Sequence, residues 1–159
     1  LEFLLAARLG ANTGAACSIK ELIATTSLDT ADIEALSTDG LITVRNQPMG
    51  PTLSGQDARI AQLWAEVKDA GFDRGIGYSA HEMKRYKDAA EMLADQEVEH
   101  FYDRIPGTRS TDEAAALAEE GLALVEQMFS ILHTKAILRR VARRNAEDTE
   151  RAGKAPSQE

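Results

Sequence analysis

Apolar positions recur at helical spacing along most of the chain, and the breaks between runs fall at glycines, prolines and capping residues. Residues 2–9 read as a short helix ended by Gly10, and 11–17 as a small, polar loop. Helices at 18–25 and 29–37 follow, the second closed by Gly40. Leu41 to Arg45 alternates like a strand. Pro48, Met49, Gly50 and Pro51 read as a turn, and Thr52-Leu53 as a brief return strand. The run 55–69 places Ile60, Leu63, Trp64 and Val67 on one face. A long helix is expected over 79–103. Pro106-Gly107 stops it, and a last helix runs over about 111–145. In that last helix Leu117, Leu124, Met128, Ile131 and Leu138 recur near every 3.5 residues, flanked by a second apolar row, as in a bundle or an antiparallel dimer seam. Residues 146–159 are charged and poor in apolar side chains, which predicts a disordered tail.

Capping signals set the helix starts. A Ser with a carboxylate three residues later can satisfy two free amides reciprocally. Ser18 with Glu21, Ser79 with Glu82 and Ser110 with Glu113 fit this pattern; Ser54 with Asp57 is a weaker version, and Asp29 can cap the helix after it. Two short helices, a small β-wing and a further helix make a winged helix-turn-helix order. The expected fold class is mostly α: a winged helix-turn-helix with a small β-wing, followed by two long helices. The expected divisions are 1–16, 17–78, 79–145 and 146–159.

Composition narrows the function. The 159 residues carry a net charge of −8 with only 5% aromatics, and the isoelectric point is about 4.9. A chain-wide nucleic-acid clamp would need a basic face instead. Cys17 is the single cysteine, so no internal disulfide forms, and a reducing cytoplasm is the expected setting without membrane contact. No phosphate loop, nucleophile elbow or paired metal motif is present, which argues against an enzyme and implies neither cofactor nor metal. His81 reads as the exposed middle of a cap. His100, near Glu97 and Glu99, reads as a solvated polar face, with a metal site as the alternative. Cys17 precedes a helix, where a thiolate would be stabilised. The basic run Arg139, Arg140, Arg143 and Arg144 reads as a helix end favoured by the macrodipole, or as a nucleic-acid contact.

The stretch 18–86 resembles the DNA-binding module of the MerR family of transcription regulators. Ser18-Ile-Lys-Glu-Leu-Ile-Ala is similar to that family's first helix. Leu28, Ile33 and Gly40-Leu41-Ile42 match the framework of its second, Leu53-Ser-Gly-Gln-Asp57 its Tyr-Ser-Glu-Glu-Asp entry to the next helix, and Gly71-Phe72 the end of that helix. The departures fall on DNA contacts. Where the family shows Arg-Tyr-Tyr this chain has Glu34, Ala35 and Leu36, and Pro51 and Leu53 stand for the wing's Arg and Tyr. Lys20 and Arg45 are the remaining candidates for a DNA contact. The opening residues are similar to the end of such a module, and the chain starts without Met, so an upstream DNA-reading copy is expected.

The resemblance therefore implies a regulatory, effector-sensing and dimerising part of a MerR-like regulator. It would form a homodimer and reach DNA through the upstream module. The alternative is a standalone ligand- or drug-binding protein of this fold without DNA binding. Candidate contacts for an unknown small-molecule effector are Trp64, Phe72, Tyr78, Met83 and Tyr86, each of which also reads as core packing.

Overall fold

The structure is a computed structural model that describes residues 1–10, 14–105 and 107–153. Parts of three expectations lie outside the described residues: 11–13 of the loop, Pro106, and 154–159 of the tail. The fold is mostly helical, with a small three-stranded antiparallel sheet. It divides into two units, Leu1–Arg8 with Arg109–Glu159, and Leu9–Thr108.

In the larger unit, helices α2 (Ile19–Thr25) and α3 (Thr30–Thr38) follow strand β1 (Cys17–Ser18). Strands β2 (Arg45–Gln47) and β3 (Gly50–Leu53) then precede helix α4 (Gly55–Asp69). Asp29 caps α3 with a full reciprocal box: its carboxylate accepts from the Asp32 amide at 2.8 Å, and Asp32 accepts from the Asp29 amide at 3.1 Å. The α3 C-terminus closes at Gly40, whose φ of +72° lies in the left-handed region that glycine adopts without strain. The amides of Gly40 and Leu41 then bond back to Ser37 and Leu36. That closure corrects the expected strand over 41–45. The Leu41 and Ile42 amides both turn toward the Leu36 carbonyl rather than to a sheet neighbour, and pairing begins only at Arg45.

β3 is the central strand. It pairs Leu53 and Thr52 with Cys17 and Ser18 of β1, and Thr52, Pro51 and Gly50 with Arg45, Asn46 and Gln47 of β2. Pro51 lies outside the two residues that pair with β1, so its lack of an N–H interrupts nothing on that side. The expected loop over 11–17 thus ends in a strand. The same pairing explains why the Ser18 box is absent: Ser18 precedes α2 in extended conformation, and its side chain makes no cap bond.

Core residues come from three helices, one strand and the loop after α3: Ile19 and Leu22 of α2, Ile33 and Leu36 of α3, Ile42, Leu53 of β3, and Ala58, Ala61, Trp64 and Ala65 of α4. The small residues of α4 let it lie close against its neighbours. Ser54 caps α4 through the Asp57 amide at 3.1 Å. Beyond Gly71 (φ +100°), a short 3-10 turn spans Arg74–Ile76. The expected helix 79–103 is also corrected at its start. Residues Ala80–Met83 form a 3-10 turn in which Ser79 makes no cap bond, and helix α5 covers Lys84–Arg104. Of this stretch only Ala80 is deeply buried.

The other unit contains helix α1 (Glu2–Gly10), apart from its last two residues, and helix α6 (Thr111–Gly153). Arg8 joins them through Asp112 at 3.1 Å and Glu119 at 3.0 Å, both exposed pairs that add little stability. Ser110 and Glu113 form the expected box at the start of α6, at 2.9 and 3.3 Å. The tail is corrected over 146–153, where the helix continues to Gly153. Arg139 to Arg144 therefore stand more than two turns inside α6. The macrodipole acts within the last turn and does not account for them. Grouping also differs from the expected divisions: α5 clusters with the elements before it, and α1 with α6.

Asp32 is the buried charge of the larger unit, 1% exposed. Lys68 of α4 reaches one carboxylate oxygen at 2.5 Å, and the Trp64 indole N–H donates to the other at 3.2 Å. Arg74 stands 3.6 Å away and pairs with Asp29 at 3.2 Å. Burial pushes the Asp32 carboxyl up, but the bonds from Lys68, the Asp29 amide and Trp64, with the Lys68 charge, outweigh it. The carboxyl ends below the ordinary range. A depressed folded-state pKa means that its stabilisation is full above the unfolded value, about 3.9, and drains away as pH falls through the folded value. Asp32→Ala should cost about 3 kcal/mol at neutral pH, because it strands Lys68 and the indole. The loss should shrink as pH falls below the ordinary carboxylate range. Urea unfolding followed by Trp64 emission checks both; an equal loss at both pH values would refute the charge assignment.

Candidate functional site

A groove of about 410 Å³ opens where the end of α3 and one side of α4 face the start of α5. That volume falls in the range of small-molecule sites. Leu36, Leu41, Ile60, Leu63, Trp64 and Val67 form two walls, and Met83, Tyr86 and Ala90 the third. Lys87 and Glu91, an ion pair at 2.7 Å, add charge to that third side. Gly40 belongs to the lining too: a Cβ there would stand 3.2 Å from the Lys87 side chain. One glycine thus serves both the α3 closure and the approach of α5.

The five candidate effector contacts separate. Trp64, Met83 and Tyr86 line the groove. Phe72 and Tyr78 do not; they form an edge-to-face ring pair, centroids 5.4 Å apart, in the segment between α4 and α5. Trp64 is both core and wall. It is 2% exposed and its indole N–H is held by Asp32, so it backs the groove with little free surface and no free donor. The sequence reading passed over Leu36, Leu41, Leu63 and Val67 as lining residues. Their helical spacing marks them as apolar faces, which is the signal of a core as much as of a groove. Asp32 and Lys68 escaped notice because they meet only across two helices.

The outward side of α3 is chemically different. Thr30, Glu34, Ser37 and Thr38 border a depression of about 350 Å³ with Ile19, Ile33, Val44 and Pro51. α3 contains no Lys or Arg. Lys20 lies exposed on α2 and Arg45 exposed at the start of β2, so the two candidate DNA contacts belong to different elements.

The helix start after Cys17 does not stabilise a thiolate there. Partial burial, and the charge of Glu21, raise its pKa, the reverse of what a reactive sulfur needs. Its thiol contacts the Ser18 carbonyl at 3.4 Å. His81 bonds Asp39 at 2.6 Å on the surface. Glu97, Glu99 and His100 all stand on α5. Among the described residues no three His, Cys, Asp or Glu side chains gather as a metal site requires. No described helix is long and apolar enough to cross a membrane. No family model, curated relative or solved structure matches this chain.

Leu63 is 44% exposed and lies on the groove wall, so its polar substitution tests the site with little cost to the core. Leu63→Lys should shift stability by less than about 1 kcal/mol. It should weaken binding of a two-ring probe such as 1-naphthol by about fivefold, roughly the worth of one lost apolar contact. Titration followed by the NMR signal of the Met83 methyl group reads this; unchanged affinity would show that the probe binds elsewhere.

Proposed function

We propose that this chain is the regulatory part of a MerR-like transcription regulator. Its module keeps the framework of a winged helix, but no longer reads DNA, and takes a small apolar effector instead. The contrast between two sides of that module carries the reading. The framework positions Leu28, Ile33 and Ile42 are all buried, and so are Leu36 and Leu53, which stand where the family has Tyr. The outward side of α3, where the resemblance puts phosphate and base contacts, presents hydroxyls and Glu34. A carboxylate repels phosphate, and neutral hydroxyls release no counterions.

The apolar groove supports the effector half of the proposal. An occupant there would touch α3, α4 and α5 together. It could bias the position of α5 through differential contact with two arrangements. DNA would be reached through an upstream module. The same groove also serves the second reading, a ligand-sequestering protein without any DNA-binding partner. An intact DNA-reading winged helix encoded upstream of Leu1 would support the first reading, and a stop or start codon there the second.

Fluorescence anisotropy with a duplex of about 20 base pairs at about 50 mM salt tests the lost DNA face. No sub-micromolar binding is expected. Tight binding that weakens steeply with salt would overturn the proposal.

A further inference from the structure

The groove between α3, α4 and α5 is apolar on two walls and carries formal charge only on the third, where Lys87 and Glu91 stand one turn apart on α5. The two charges are not equivalent. Lys87 is the more enclosed, its side chain 26% exposed against 61% for Glu91. Its stem passes over Gly40 at the end of α3. A Cβ on that glycine would stand 3.2 Å from the Lys87 Cε and 3.8 Å from its Nζ. Gly40 holds a φ of +72°, where a side chain is strained, so the space that the Lys87 stem occupies stays open to it.

An ammonium has three N–H donors. That of Lys87 uses one on the Glu91 carboxylate at 2.7 Å and has no further partner among the described residues. Lys84, the next cation along α5, is already held by both oxygens of Asp88, at 2.9 and 2.6 Å. Glu91 faces water, so a ligand cation would meet it where an ion pair adds little. The donor set at the edge of the apolar walls therefore asks for an acceptor. The walls themselves are only partly joined: no residue of α5 is buried, and Ala80 and Met83 just before it are what pack on the core.

We propose that the groove selects a compact apolar acid. Its hydrocarbon body would lie against Leu36, Leu41, Leu63 and Val67, and its carboxylate would bond the Lys87 ammonium. The proposal rests on the reading of this groove as an effector site and names the ligand class. The carboxylate takes up a free donor or replaces Glu91, and no covalent bond changes. A charge-assisted bond beside apolar surface is stronger than the same bond in open water. A neutral ligand of the same shape forgoes it, and a cationic one meets Lys87 as a like charge.

The full chain is titrated with 1-naphthoate, 1-naphthol and 1-naphthylmethylammonium, which share a ring system and differ in charge. The NMR signal of the Met83 methyl group locates the binding. 1-Naphthoate should bind at least about fivefold more tightly than 1-naphthol, and the cation more weakly than either. Lys87→Met keeps the apolar stem and removes the charge. It should erase the advantage of 1-naphthoate and leave the affinity for 1-naphthol within about twofold. Glu91→Gln releases the ammonium and should strengthen 1-naphthoate alone, while Lys87→Arg should keep the preference. Circular dichroism and Trp64 emission check that each variant is folded. If 1-naphthol binds at Met83 and 1-naphthoate binds no more tightly, or if Lys87→Met retains the preference, the acid proposal is overturned and the effector groove stands. If none of the probes moves the Met83 signal, both are overturned.

Discussion

The position of α4 against α3 depends on one buried carboxylate. Asp32 is the third residue of α3, a place where a carboxylate normally answers a cap and remains in water. Here it is sealed in and gathers the Asp29 amide, the Trp64 indole and the Lys68 ammonium, while Arg74 stands close by. Removing a carboxylate from water is costly unless its lone pairs are filled, and these are. Among the described residues no buried side-chain polar atom lacks a partner. Lys68 also bonds the Ser27 carbonyl at 2.7 Å, so the turn between α2 and α3 joins the same network. The consequence reaches the groove. Because the indole N–H must meet Asp32, the ring of Trp64 is fixed in orientation, and that ring forms part of the wall.

Parts of this arrangement are readable in the sequence because they rest on local chemistry. Ser54 and Asp29 cap where their positions indicate, and the run 55–69 forms a helix over the same residues. Gly40 closes α3 because a left-handed residue is needed there. Other parts depend on partners far along the chain. Two residues of β1 carry no periodicity, and only β3 makes them a strand. The Ser18 and Ser79 signals satisfied the pattern of a cap, yet the backbone around each is used differently. Low apolar content predicts disorder for the tail, whereas 146–153 extends a helix already under way. For the site, aromatic identity selected Trp64, Met83 and Tyr86 together with Phe72 and Tyr78. Identity alone does not tell which rings share a cavity.

The two units divide their surface chemistry in a way that fits the proposed role. The larger one encloses a core, displays a cation-free α3 and holds an apolar groove. The smaller one offers a long helix with an apolar row, acidic before Thr134, basic over 135–144 and mostly acidic again after that.

The sheet, the least conspicuous part of the fold, bears on how such a chain remains well behaved. Its two edges are β1, of two residues, and β2, of three, the latter made of Arg45, Asn46 and Gln47 and followed at once by Pro48. Edges this short, charged or polar, and stopped by a proline give another molecule's strand little to template on. Among the described residues most of the exposed large apolar side chains stand on helices, Met49 and Phe72 being exceptions. Helices offer no free ladder of amides and carbonyls, so sticking between copies is steered toward side-chain packing that can come apart, and away from the hydrogen-bonded growth that leads to fibrils.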